Sequence, residues 1–284
     1  MRIDPHGAQG ASSRTSTRLI VLGLALALMT LGGSAADPAP VAAAEAPGVK
    51  VVVIVGPAGS STAKYITSAR RYASQARSYG AEVIEIYSPN ATWTKVKSAT
   101  RGANVLIYLG HGNGYPSPYG PFNGVSKDGL GLNSMAGKGH YNVKYWGESW
   151  IRTDIELAPN AVVILNRLCY ASGNSEWGSR NPTKAVAIKR VDNFGAGFLR
   201  ANAGAVFAEG IGSAAYVLRG IFKTDSTMAQ VFKGAPNFSG ARDFRFESVR
   251  TPGTTAWLDP SAPGRYYRSV IGDLSLSAAA VRGG

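Results

Sequence analysis

Two apolar runs in this 284-residue chain end in side chains that can do chemistry. Val105-Leu106-Ile107-Tyr108-Leu109-Gly110 leads into His111-Gly112, and Val162-Val163-Ile164-Leu165 leads through Asn166-Arg167-Leu168 into Cys169. A thiol attacks a carbonyl carbon well when a nearby imidazole takes its proton and later returns it to the leaving amine. Gly112 fits the same chemistry, because a residue without Cβ lets a substrate approach its backbone closely enough for the N–H to stabilise an oxyanion. Cys169 is the only cysteine. An exported domain that used thiols for stability would carry an even number for pairing, so a lone thiol is either buried as a small apolar residue or used as a nucleophile.

Other chemistries lack their residues. His140 has no second ligand at metal-binding spacing and His6 lies near the start of the chain, so neither a metal site nor metal catalysis is expected. The glycine-rich pieces 56–59 and 110–114 complete neither a dinucleotide nor a phosphate-loop pattern, and no cofactor is expected. Ser172 and Ser175 lack the surroundings of a nucleophile elbow and read as turn residues.

The amino terminus has the layout of a secretory leader: Arg2, Arg14 and Arg18 precede the uncharged run Leu19–Leu31, followed by small residues from Gly32 to Ala36. Thirteen residues are too few for a helix to cross a bilayer, so removal after Ala36 is favoured over a single-pass anchor. The mature protein is therefore expected outside the cytoplasm, secreted or in the cell envelope. The expected organisation is a signal peptide over 1–36, a Pro/Ala-rich linker over 37–48 and one domain over 49–284. The chain has 30 Lys and Arg against 17 Asp and Glu. The leader holds three of the basic and one of the acidic residues, so the remainder carries 27 against 16, a net charge of +11. Such a surface attracts anionic envelope polymers non-specifically. The basic residues are scattered without interleaved aromatics, so no specific nucleic-acid partner is expected.

The elements that must carry His111 and Cys169 follow from periodicity. Val51–Val55 is wholly apolar, the mark of a strand covered on both faces. Ser60 and Ser61 open a helix with alanines and Ile66 at spacings of three and four, closed by Gly80. A strand over 82–87, an amphipathic stretch over 92–100 and a strand over 104–109 come next. Residues 110–160 form a polar, Gly-rich and aromatic excursion of a length that usually serves function. A strand over 161–165, a helix over about 191–202 and a strand over 205–209 restore the alternation. A helix near 226–232 and edge strands near 244–249 and 266–271 complete the expectation. The fold class is α/β: a mostly parallel sheet flanked by helices on both faces, with ligands at the strands' carboxyl ends.

An apolar strand entering His-Gly, followed by an apolar strand entering Cys, resembles the caspase-like (clan CD) cysteine peptidases, which include caspases, legumain, clostripain, gingipains and metacaspases. The likeness covers the order of elements from Val51 to about Ile211, and Gly272-Asp273-Leu274 is similar to the Gly-Asp-Pro element that often ends the exported, gingipain-like branch. It implies a cysteine endopeptidase acting on a peptide or protein substrate. It further implies His111 as general base and acid, Cys169 as nucleophile, and the N–H groups of Gly112 and Cys169 as the oxyanion hole. Members usually carry a small residue before the cysteine, where this chain has Leu168, so a caspase-like scaffold or binding protein without activity is the alternative. Family members line their specificity pocket partly after the fifth strand. A carboxylate there, Glu209 or alternatively Asp192, would favour Arg or Lys before the scissile bond.

Overall fold

The computed structural model describes residues 48–283; the expected leader and all of the linker but Gly48 lie outside them. The strands are β1 (Lys50–Val55), β2 (Glu82–Tyr87), β3 (Ala103–Leu109), β4 (Leu130–Asn133), β5 (Val143–Trp146), β6 (Leu157–Asn166), β7 (Ala203–Glu209), β8 (Phe244–Glu247), β9 (Thr255–Leu258) and β10 (Arg268–Gly272). The helices are α1 (Thr62–Ser78), α2 (Trp93–Thr100), α3 (Glu148–Asp154), α4 (Lys184–Leu199), α5 (Ala215–Lys223), α6 (Met228–Lys233) and α7 (Ala278–Val281). Among the described residues no helix is long and apolar enough to cross a membrane.

Eight strands form one sheet in the order β2-β1-β3-β6-β7-β10-β9-β8. The first five run parallel, and β10, β9 and β8 extend the sheet antiparallel. The strands at its centre have few polar residues because helices cover both faces. Side chains alternate along each strand. Val51, Val53, Val55, Val105, Ile107 and Leu109 pack with α1, α5, α6 and α7, whereas Val52, Ile54, Leu106 and Tyr108 face α2, α3 and α4. Fully burying an aliphatic or aromatic side chain of this size stabilises by about 1.5–3 kcal/mol. The α/β class and the parallel sheet read from the sequence are the observed ones.

Several segments depart from the sequence reading, β9 and α7 among them, and three bear on the framework around the rim. The excursion contains a hairpin-like sheet of β4 and β5, and α3 follows it. The β4 strand has four residues, one of them Gly131, and is fully buried beneath the loop bearing His111. Helix α4 begins at Lys184 rather than near Val191, because the Thr183 hydroxyl accepts the Val186 N–H at 3.3 Å and caps it there. Helix α5 was not expected. Its buried face, Tyr216, Val217, Leu218 and Ile221, is short, and tertiary packing against α1 completes it.

Candidate active site

Strands β3 and β6 are parallel neighbours whose last paired residues are Leu109 and Asn166. Whatever follows them emerges on one rim of the sheet. His111 lies two residues beyond β3 and Cys169 three beyond β6, and both line one cavity of about 610 Å³ together with Gly112, Asn113, Tyr119, Tyr145 and Glu176. The chain order of strands reverses between β1 and β3, which puts His111 at the topological switch point where ligands of open α/β sheets bind.

The loop that carries the cysteine is strained. Arg167 has φ +66° and Tyr170 φ +73°, so two non-glycine residues in the left-handed region bracket Leu168-Cys169. Each costs about 1–2 kcal/mol relative to ordinary backbone. Such outliers persist where the surroundings over-determine them and gather at functional sites. Gly112 has a packing reason beside the one read in the sequence: a Cβ there would stand 2.3 Å from the Cys169 carbonyl oxygen. The glycine lets the two loop backbones meet. Among the described residues neither the Gly112 nor the Cys169 N–H has a backbone acceptor, so both donors are free.

Burial, followed by the negative charge of Glu176, pushes the Cys169 thiol up to about 11, against a smaller opposing pull from Arg190. Burial also holds the His111 ring below its usual value, with Glu176 opposing. The thiol is half-buried, and among the described residues it makes no hydrogen bond to His111. Both directions favour the neutral thiol and the neutral imidazole at pH 7. Glu176, absent from the sequence reading, lines the His111 cavity and accepts the Tyr119 hydroxyl at 2.7 Å.

Buried polar side chains set these loops. The Tyr108 hydroxyl donates to the Gly131 carbonyl at 2.7 Å, accepts the Gly131 N–H at 3.0 Å and stands 3.1 Å from the His111 carbonyl. Asn166 accepts the Tyr72 hydroxyl and donates to the carbonyls of Glu209 and Gly212, tying the ends of β6 and β7 together. Arg190 on α4 donates to the carbonyls of Pro116 (2.8 Å) and Asn174 (2.7 Å) and lies over the Tyr170 ring, joining the loop after His111 to the loop after Cys169. Asp128 accepts the Tyr115 N–H at 2.9 Å, and its other oxygen is buried without a partner. Sequence inspection missed all four, since a polar residue in an apolar run or a loop carries no periodic signal. Tyr108→Phe is expected to leave two Gly131 groups unpaired, lowering stability by about 1–3 kcal/mol. Thermal melting checks this.

The remaining sequence candidates lie elsewhere. Glu209 is buried, accepting Arg268 Nε at 2.6 Å and the Tyr216 hydroxyl at 2.8 Å, so its carboxylate already has a cation. Asp192 is buried and accepts the Ser248 hydroxyl and the N–H groups of Val249 and Arg250, holding the turn after β8. Neither lines the cavity shared by His111 and Cys169. Leu168 is 1% exposed and packs into the core on the α2–α4 face rather than standing free in the cleft. Ser172 donates to the Tyr266 carbonyl, and His140 meets Ser88. Among the described residues no three His, Cys, Asp or Glu side chains gather in a metal-binding group.

Comparison of the chain with protein-family models, with curated proteins and with solved structures gave no match.

Proposed function

We propose that this chain is an exported, caspase-like cysteine endopeptidase, nearest the gingipain-like branch, that cleaves peptide bonds with His111 and Cys169. One observation carries this reading: the histidine and the only thiol follow neighbouring parallel strands and line one cavity with two free backbone donors. Cys169 Sγ attacks the substrate carbonyl carbon as its proton passes to the neutral His111 ring, and the carbonyl oxygen takes the negative charge beside the Gly112 and Cys169 N–H groups. The C–N bond then breaks, and His111 returns the proton to the departing amine. Water, deprotonated by His111, hydrolyses the remaining thioester and frees the thiol. The partner is a peptide or protein. Cationic charge adds non-specific attraction to anionic envelope polymers.

A scaffold without activity is the second reading, favoured by the elevated thiol pKa. Cleavage of fluorogenic peptides by the purified protein, followed against pH, separates the two. Since the imidazole must be neutral to accept a proton and burial holds it so, the acid limb of kcat/KM is expected below 6.5, with no loss from thiol ionisation up to about 10. An acid limb above pH 7 that persists in Asp128→Asn excludes His111 as the base; Asp128 itself is pushed up to about 7 by burial. Absence of all cleavage supports the scaffold.

A further inference from the structure

Three cavities adjoin along the rim. The 610 Å³ cavity shares Cys169 and Glu176 with a neighbour of about 570 Å³, and it shares only His111 with a third of about 270 Å³. Cys169 does not line the third. Its walls come from the loop between β1 and α1, Pro57 to Ser60, and from His140, Tyr141 and Val143 at the entry to β5. The two walls are fixed to each other. The Gly59 N–H donates to the His140 carbonyl at 2.8 Å, and His140 Nδ1 stands 2.9 Å from the Ser88 hydroxyl. A Cβ on Gly59 would stand 2.8 Å from the Tyr141 ring, so the glycine lets that ring close the wall. Among the described residues that line this cavity none is Asp, Glu, Lys or Arg. A charged side chain entering it would lose water and gain no counter-charge, whereas an aliphatic one gains by burial. Tyr141 is 81% exposed, so a ligand that covers it also removes its ring from water.

Resting on the peptidase reading, we infer that this third cavity receives the side chain that follows the scissile bond, and that it selects an aliphatic one. The direction follows from the chemistry of the two reacting side chains. Cys169 bonds to the carbonyl carbon, so the residue before the scissile bond lies on the side that Cys169 lines. His111 returns a proton to the departing nitrogen, so the residue that owns this nitrogen lies against the imidazole. His111 is the lining residue that the central and third cavities share. A side chain on the leaving fragment therefore passes the imidazole and enters between the Pro57–Ser60 loop and Tyr141.

The test is a set of internally quenched peptides with constant residues before the scissile bond and Leu, Val, Gly, Asp or Lys after it. Expected is a kcat/KM for Leu or Val about 10- to 100-fold above Gly, with Asp and Lys no better than Gly. Ser60→Trp fills the cavity from an exposed position, and Tyr141→Ala removes an exposed wall. Each brings the Leu-to-Gly ratio toward one, and thermal melting confirms that both variants fold. Equal cleavage of the Leu and Gly peptides, preference for Asp or Lys, or a ratio unchanged in both variants overturns the inference. Binding to Cys169→Ala separates this from failure of the peptidase reading. Labelled peptides that begin with Leu or Gly stand for the leaving fragment, and their anisotropy reads the cavity without turnover. If nothing is cleaved but the Leu peptide binds about 10-fold tighter than the Gly peptide and adding Ser60→Trp removes the difference, the cavity stands and only the peptidase reading falls. If neither cleavage nor binding distinguishes Leu from Gly, the cavity assignment falls as well.

Discussion

Replacing Cys169 with alanine is expected to remove peptide cleavage to background while leaving the protein folded. The sulfur makes no hydrogen bond among the described residues and is half-buried, so its loss costs the fold about 1 kcal/mol, a fraction of typical domain stability. Catalytically the loss is expected to be total, because among the described residues no other thiol, and no serine or threonine, lines the same cavity. Cys169→Ser should be nearly as inactive, a hydroxyl being far harder to deprotonate than a thiol. His111→Ala should lower kcat by about 10²- to 10⁴-fold, the usual contribution of a positioned general base. Circular dichroism and kinetics on the three variants measure both halves of the expectation. Cleavage retained at more than a tenth of the original rate in Cys169→Ala would exclude the thiol as nucleophile.

The largest expected effect on stability lies at Arg268. Replacing it with methionine leaves Glu209, whose side chain is 2% exposed, as a buried carboxylate without a cation. Breaking a buried pair in this way costs about 3–5 kcal/mol. In a domain of this size that lowers the melting temperature by about 6 to 20 °C. Burial already pushes the Glu209 carboxyl up against the opposing pull of Arg268, and removing the arginine raises it further. The folded variant then takes up a proton at a pH where the unfolded chain does not, so its deficit is full above the raised pKa and shrinks as pH falls through it. Melting curves at pH 5 and pH 8 read the difference. A variant equally destabilised at both would show that lost contacts of Arg268 with Pro236 and Asp259, rather than the stranded carboxylate, dominate.

The α/β class, the central strands and the placement of His111 and Cys169 at strand ends were legible in the sequence for one reason. Strands buried on both faces must be uninterrupted apolar runs, so Val51–Val55, Val105–Leu109 and Val162–Leu165 announce themselves, and the first polar residue past each marks a rim. Short length weakens that signal: β9, four residues paired between β10 and β8 with Thr255 and Trp257 among them, went unread. Tertiary structure alone decided that β3 and β6 are neighbours, since pairing between strands 48 or more residues apart leaves no local trace. It also decided the fate of each charge. Glu209 and Glu176 look equally free in the sequence, but antiparallel pairing sets Arg268 opposite Glu209 and neutralises it, while Glu176 meets the Tyr119 hydroxyl in the cavity of His111 and Cys169. A side chain's partner is chosen by the packing of segments far apart in the chain, and electrostatic character follows from the partner rather than from the residue type.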